Sequence, residues 1–385
     1  MALENIIRES PLFFVPRAVH FKQKTDSTGS LTEKIKAIPS NRLVLTRNSH
    51  LATLVANHKR ANDSDVRAYT HISFNLPDGT EIAGLYKSVR DTCPLIIGTF
   101  GFLSDARAHA SRNFMNIVKH PYLRDNNILI LDHPTSAPFY CANKQTSWGG
   151  IDEGYILTEV SRQMKEKYHA HQVHLIGISM GGLGVIHAAY RGEGIINSAL
   201  AISAVTDPLD VPGSALRSLQ SDGPFGKRFW DFTVLSHYLG LQTLWKEFRK
   251  IVGQSPKTSV SNIADIADLF LGTKRYTHEL MENLLAPYIK EGIHHRKIPQ
   301  TLEEYLVASD AVSIAPAITT PLYLLHAHDD SVVPPAHYYR FMLAARGNKK
   351  VQGMIMPDGG HWGFTSAYGT RWMAEVITIH NHYRR

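Results

Sequence analysis

The sequence predicts an α/β protein with a mostly parallel, doubly wound sheet and a helical segment inserted between two of its strands. Helical segments lie between most of the predicted strands, which is the alternation typical of this class. The strands of the parallel part are nearly continuous apolar runs, as expected for strands buried on both faces. These runs are PLIIGTF (94–100), NNILILD (126–132), QVHLIGIS (172–179), NSALAIS (197–203) and PLYLLHA (321–327).

An antiparallel hairpin leads into the parallel part. YTHISFNL (69–76) alternates apolar and polar residues, as a half-buried strand does. The turn signal Pro77-Asp78-Gly79 follows, and EIAGLYK supplies the second strand. With VQGMIM (351–356) as the last strand, we expect an eight-stranded sheet.

The chain divides into four predicted segments. Residues 1–68 form a basic N-terminal extension, and residues 69–206 form the first part of the α/β core. Residues 207–310 have a helical, amphipathic pattern, and an insertion of this length between two strands predicts a cap or lid. Residues 311–385 complete the core. Within the first part, Ile156, Val160 and Met164 have the spacing of one apolar helix stripe.

Composition indicates a soluble, cytoplasmic protein. The 385 residues are 43% hydrophobic and 19% charged, as in ordinary globular proteins. No apolar run approaches the roughly 18 residues of a membrane span, and the start of the chain, with Glu4 and Glu9, does not resemble a signal peptide. Two cysteines, Cys93 and Cys141, provide neither a disulfide framework nor a thiolate zinc site.

The positive charge is concentrated near the N-terminus. The net charge is +7, and residues 1–60 hold ten Lys or Arg against four Asp or Glu, a difference of 10 − 4 = +6. This arm is either a solvated extension that wraps the domain or a contact for an anionic membrane surface or an acidic partner. No nucleic-acid-binding motif accompanies the charge, so we expect no nucleic-acid partner.

The run Gly177-Ile178-Ser179-Met180-Gly181 joins a buried strand to an alanine-rich helix. A sharp strand-to-helix turn lifts a nucleophilic serine clear of the sheet, and glycines two residues before and after it relieve the crowding. The positive end of the following helix points at the reacting carbonyl. Ser179 is therefore the predicted nucleophile. The alternative is a glycine-rich turn that only lets the helix pack against the sheet.

A serine nucleophile needs a base, and the base needs an orienting acid, in the chain order serine, acid, histidine. The segment after PLYLLHA supplies the acid, with Asp330 as the predicted residue and Asp329 as the alternative. The acid orients the imidazole and stabilises its charged form. His361 follows the last strand on a loop with Gly359 and Gly360 and is the predicted base.

An oxyanion hole needs two fixed N–H donors. The first predicted donor is the amide of Met180, directly after the nucleophile. The second is the amide of Phe102, in the GTFGFLSD loop after the third strand, where Gly101 keeps the backbone open to the substrate. This loop has a plainer interpretation as a simple strand-to-helix turn.

Two further clusters lie at strand ends. His326, His328 and Asp330 fit an H-x-H-x-D pattern that opens some dinuclear metal sites, but Ser331 follows and no matched second cluster appears. We therefore expect no metal. Asp132 and His133 end the fourth strand, where they either line the pocket or cap a turn.

Together these motifs resemble those of serine hydrolases of the α/β-hydrolase superfamily. The chain is most similar to the abhydrolase-domain esterase branch that includes medium-chain ester hydrolases and ethanol acyltransferases. The segments that carry the resemblance are SHLATLV, LPDGTEIAGLY, GISMGG, DDSVVP and GGHWGF. The resemblance implies an eight-stranded, mostly parallel sheet with a helical cap, no cofactor, and a triad of Ser179, Asp330 and His361. Such relatives usually have His-Gly where this chain has Phe100-Gly101.

The sequence thus predicts a carboxylic-ester hydrolase that forms an acyl-enzyme on Ser179, with a small-molecule ester or an acyl lipid as substrate. An acyltransferase would use the same acyl-enzyme and pass the acyl group to an alcohol. Amide cleavage on the same scaffold also stays open. The alternative from another class is a non-catalytic binding protein built on a hydrolase scaffold.

Overall fold

The computed structural model describes residues 30–39, 60–143, 150–208, 307–330, 332–361 and 363–382. The strands are β1 (Thr70–Asn75), β2 (Glu81–Lys87), β3 (Leu95–Thr99), β4 (Asn127–Leu131), β5 (Val173–Ile178), β6 (Ser198–Ile202), β7 (Leu322–Ala327) and β8 (Val351–Met356). In this part of the chain they form one eight-stranded sheet in the order β1-β2-β4-β3-β5-β6-β7-β8. β2 pairs antiparallel with β1 and β4, and the other neighbours are parallel. The predicted mostly parallel sheet with a leading hairpin is confirmed.

Helices cover both faces of the sheet. They are α1 (Leu31–Lys36), α2 (Asp63–Val66), α3 (His109–Val118), α4 (Ala137–Asn143), α5 (Ile151–Tyr168), α6 (Met180–Arg191), α7 (Ala311–Ile314), α8 (Ala336–Ala344), α9 (Phe364–Tyr368) and α10 (Thr370–His382), with a 3₁₀ turn at Ala315–Ala317. α5 and α6 pack on one face, and α1, α3 and α10 pack on the other.

The strands from β3 to β7 are buried along their whole length. Successive side chains point to opposite faces, so Leu175 packs with α5 and α6 while Ile176 packs with α3 and α10. This is why the sequence shows continuous apolar runs and not an alternation. The predicted stripe Ile156, Val160 and Met164 is confirmed, since each residue is at most 1% exposed.

Part of the basic extension packs on the core. Leu31 and Ile35 of α1 are buried against the α10 side of the sheet. Thr32 Oγ1 lies 3.2 Å from the hydroxyl of Tyr323 on β7. Most of the predicted cap at 207–310 lies outside the described residues. None of the described helices has the length and apolar character needed to cross a bilayer.

Buried histidines occupy the side of the sheet covered by α10. His380 on α10 is buried, and neither of its ring nitrogens has a hydrogen-bond partner among the described residues. Burial, and then the nearby His174, lower the pKa of His380 to about 3. Burial, followed by the charges of His382 and Lys165, lowers the pKa of His174 to about 4. Both rings are therefore neutral in the folded protein at neutral pH.

We predict that acid destabilises the fold through His380. The unfolded chain binds a proton at this residue near pH 6.5, whereas the folded chain does so only near pH 3. The unfolded state thus holds more protons between these values, so the free energy of unfolding falls as the pH drops. By linkage, His380 alone removes about 3 kcal/mol between pH 7 and pH 4. Denaturant unfolding across this range should show a shallower pH dependence in His380→Leu.

The matched control is His71→Leu, since His71 is exposed on β1. Asp132 acts in the opposite direction, because burial raises its pKa to about 7 and favours protonation in the folded state. The comparison between His380→Leu and wild type cancels that contribution. If the free energy of unfolding has the same pH slope in wild type and in His380→Leu, the prediction is contradicted.

Candidate active site

Ser179 stands at a strained turn between β5 and α6. Its backbone is left-handed, with φ 59° and ψ −121°, and its side chain is partly exposed. A Cβ on Gly177 would lie 2.1 Å from the carbonyl oxygen of Gly181, and a Cβ on Gly181 would lie 2.6 Å from that of Thr99. Only glycine fits at both positions. The Ser179 amide donates to the carbonyl of Ile202 on β6 at 3.0 Å, which fixes the turn to the sheet.

Asp330 and His361 form a buried pair at the ends of β7 and β8. His361 Nδ1 lies 3.0 Å from Asp330 Oδ2 and 3.2 Å from Oδ1. Asp330 Oδ1 also accepts the amides of Val332 and Val333 at 3.0 and 2.9 Å. A carboxylate facing Nδ1 places the ring proton on that nitrogen and leaves Nε2 as the basic nitrogen.

The electrostatics of this pair favour an ionised Asp330. Burial by itself would raise the pKa of the carboxyl, but the charge and hydrogen bond of His361 outweigh it. His326, 3.8 Å away, and the Val333 amide act in the same direction as His361. The pKa of Asp330 therefore lies well below its ordinary value of 3.8. The carboxylate is charged at neutral pH and stabilises an imidazolium at His361.

The neighbouring Asp329 makes a different contact. Its Oδ1 accepts the amide of Gly360 at 2.7 Å, one residue before His361. Gly359 and Gly360 both have positive φ, of 146° and 53°, which side-chain-bearing residues rarely adopt. A Cβ on Gly359 would also lie 2.8 Å from the ring of Phe364. Asp329 thus anchors the histidine loop, and Asp330 contacts the ring.

Parallel pairing brings the predicted site residues to one edge of the sheet. Ser179 follows β5, Asp330 follows β7 and His361 follows β8, and these strands run in the same direction. The loop after β3 meets the serine at this edge, because a Cβ on Gly101 would lie 3.3 Å from Ser179 Cβ and 3.5 Å from its Oγ. The sheet edge therefore brings together Ser179, the His361–Asp330 pair and a close backbone loop.

The predicted oxyanion donors flank the serine. Met180 is the first residue of α6, where backbone N–H groups lack intrahelical partners. Phe102 lies next to Gly101 in a tight turn, in which the Ser104 amide donates to the Gly101 carbonyl at 3.0 Å. Leu103 in this turn has φ 61°. Phe100, just before Gly101, is buried against Phe114 with ring centroids 5.4 Å apart.

Asp132 and His133 are buried supports of this loop and do not line its surface. The Asp132 carboxylate accepts the Ala106 amide at 2.8 Å, and the His133 amide donates to the Ser104 carbonyl at 2.9 Å. The turn-capping interpretation is thus the one that fits the contacts. Glu153 and Thr135, which complete the support, have no sequence motif that distinguishes them. The only signal is a glutamate on the apolar side of α5.

His326, from the H-x-H-x-D pattern, is engaged in the protein interior. Its Nε2 lies 2.9 Å from the carbonyl oxygen of Val333, and a carbonyl only accepts, so this nitrogen carries the proton. Within the described residues, no group of three or more His, Cys, Asp or Glu side chains is arranged to hold a metal ion. His326 instead lies behind Asp330 as part of its polar surroundings.

Two solved structures of other proteins are similar to this chain to different degrees. An esterase of Pyrococcus furiosus, Pf2001, is similar in structure with a TM-score of 0.51 and 13% sequence identity, over 83% of this chain and 93% of that chain. An acylaminoacyl peptidase of Pyrococcus horikoshii has a TM-score of 0.47 and 13% identity, over 83% of this chain and 43% of that chain. A search of curated protein sequences finds no match.

The model of one protein family, described as the alpha/beta hydrolase fold, matches residues 144–368. This span is more than half of the chain and contains Ser179, Asp330 and His361. The chain therefore belongs to the alpha/beta hydrolase fold family.

Proposed function

We propose that the protein is a carboxylic-ester hydrolase that acts through Ser179, His361 and Asp330. The observation that carries the proposal is the buried contact of His361 Nδ1 with Asp330, at the same sheet edge as a serine held in a left-handed elbow. A glycine-rich packing turn would need neither this base–acid pair nor the strain at Ser179. A non-catalytic scaffold has no requirement for them either.

The reaction proceeds through an acyl-enzyme. Ser179 Oγ attacks the acyl carbonyl carbon while His361 Nε2 takes the hydroxyl proton, and the carbonyl π electrons move to the oxygen. Collapse of this tetrahedral intermediate expels the alcohol, which leaves with the proton from His361. Water then attacks the acyl-enzyme with His361 again as base. The second tetrahedral intermediate collapses to the carboxylic acid, and Ser179 Oγ leaves with the proton from His361. Asp330 keeps its charge throughout and stabilises the imidazolium.

The oxyanion of each tetrahedral intermediate is proposed to bind the amides of Met180 and Phe102. Both flank the serine, one at the start of α6 and the other beside Gly101. Fixed donors in a buried site stabilise developing charge without reorganisation, and loss of one donor typically costs about 10²- to 10³-fold in kcat.

The substrates we propose are small-molecule esters or acyl lipids. An acyltransferase would share every step as far as the acyl-enzyme and differ only in the second nucleophile. Incubation of the protein with an ester and a graded series of added alcohols separates the two reactions by their products. Free acid as the main product supports hydrolysis, whereas a new ester as the main product assigns transfer.

We predict that Ser179 is the residue labelled by a fluorophosphonate probe. Such probes phosphonylate only an activated serine, so intact-mass measurement should show one adduct on the wild type and none on Ser179→Ala. Ester hydrolysis in that variant should fall by at least about 10⁴-fold, because the nucleophile is absent. The control is Ser161→Ala, which removes a buried hydroxyl that donates to the Leu157 carbonyl of its own helix. Near-wild-type turnover by Ser179→Ala would overturn the mechanism.

The two aspartates should respond differently to amidation. Asp330→Asn removes the charge that holds the His361 Nδ1 proton, so we expect kcat to fall by about 10⁴-fold. Asp329→Asn keeps an oxygen that can accept the Gly360 amide, and its kcat should fall by less than about tenfold. Steady-state kinetics of the two folded variants check this ranking. The reverse order would assign the acid role to Asp329.

A further inference from the structure

A buried polar cluster lies behind the loop after β3. Its members are Thr99, His133, Thr135 and Glu153, and each is at most 2% exposed. Thr99 Oγ1 donates to the Glu153 carboxylate, whose other oxygen lies 3.1 Å from His133 Nε2. This second contact is close but does not have the geometry of a hydrogen bond. A carboxylate and an imidazole are expensive to bury, so their presence here needs a reason.

The hydrogen bonds of the cluster have only one consistent direction. The Thr135 amide donates to His133 Nδ1 at 3.2 Å, so Nδ1 is an acceptor and the ring proton is on Nε2, facing Glu153. Thr135 Oγ1 lies 2.7 Å from the same Nδ1 and therefore donates its single proton to it. The lone pairs of that hydroxyl then accept the Leu103 amide, at 2.7 Å.

This last bond acts on a strained turn. Gly101 and Ser104 close the turn, and Leu103, at its third position, has φ 61°. A positive φ at that position is the mark of a type II turn, which glycine or asparagine normally occupies. Type I and type II turns differ by a flip of the central peptide, here the one joining Phe102 to Leu103. The Thr135 hydroxyl holds the N–H of that peptide, so it selects the type II orientation against the preference of leucine.

The same cluster touches the nucleophile elbow. A Cβ on Gly184 of α6 would lie 2.3 Å from Glu153 Oε2, so the carboxylate rests on the helix that follows Ser179. Thr99 donates to Glu153, and its backbone carbonyl lies in close contact with Gly181. Glu153 thus connects the loop that faces the serine with the turn that carries it.

We propose that Thr135, His133 and Glu153 are positioning residues that set the oxyanion loop of this site. Glu153 orients His133, His133 orients the Thr135 hydroxyl, and that hydroxyl holds the Leu103 amide. The flipped peptide then keeps the adjoining Phe102 amide directed at the acyl oxygen beside Ser179. The inference rests on the proposed ester hydrolysis, and it assigns these residues a role through the loop and not through contact with substrate.

The test compares Thr135→Val with Thr135→Ser. Valine keeps the shape and removes the hydroxyl, so kcat should fall by about 10- to 100-fold, less than for loss of a whole donor. KM should change by less than about threefold. A trifluoromethyl ketone that forms a tetrahedral adduct on the serine should lose affinity by the same factor as kcat/KM, because the oxyanion of the adduct uses the same donors. In Thr135→Ser, kcat and the affinity for the ketone should both return to near wild-type values.

Amide hydrogen exchange at Leu103 gives a readout independent of turnover, and it should quicken in Thr135→Val and not in Thr135→Ser. The matched control is Thr158→Val, which removes a buried hydroxyl bonded to the Gly154 carbonyl within α5. Wild-type kinetics are expected for it. If Thr135→Val does not fold, Glu153→Gln replaces it as the test variant. Glutamine has the same volume as glutamate and still offers an oxygen that accepts from Thr99.

The outcomes separate the two proposals. Unchanged kcat in a folded Thr135→Val, or a lower kcat with unchanged affinity for the ketone, overturns the positioning role and leaves ester hydrolysis intact. A wild-type protein that neither hydrolyses esters nor reacts with fluorophosphonate shows that the proposed function itself is wrong, and the positioning role falls with it.

Discussion

The backbone contact between Gly177 and Gly181 is the constraint on which the site depends. Ser179 has a left-handed backbone only because a strand and a helix meet around it with no Cβ atoms in the way. The contact of Gly181 with the Thr99 carbonyl extends the same requirement to β3. Any side chain at these glycines would push β5, α6 and β3 apart. Sheet register, helix position and serine orientation are therefore set together.

The buried charges at this edge serve positioning more than stability. A buried ion pair rarely repays its desolvation, and Asp330 is ionised only because His361, His326 and two amides surround it. The proton transfer of the proposed reaction requires this order in the His361 ring. Acid conditions would weaken this arrangement, since the unfolded state takes up protons that the folded carboxylate resists. The arrangement of Asp330 and His361 is therefore maintained only while the surrounding core stays folded.

The sequence was sufficient to predict features that depend on near neighbours. The buried strands, the stripe of α5 and the glycines around Ser179 are local patterns, so their structure follows from short windows. Asp329 and Asp330 are adjacent on one loop, and only the three-dimensional contacts distinguish their partners. The link from Glu153 through His133 and Thr135 to Leu103 joins three separate segments, which no spacing rule covers. The predicted cap at 207–310 and the catalytic roles remain predictions.

Three histidines near this edge have different hydrogen-bond partners, and these partners fix the tautomer of each ring. His133 accepts at Nδ1 from Thr135, and His326 uses its Nε2 proton on the Val333 carbonyl. His361 has the opposite tautomer to both, because the Asp330 carboxylate accepts a hydrogen bond from Nδ1–H and leaves Nε2 basic. Among the three, only His361 has the protonation pattern of a general base toward a serine hydroxyl. The hydrogen-bond partners, and not the residue type, decide which histidine fits the role of the proposed base.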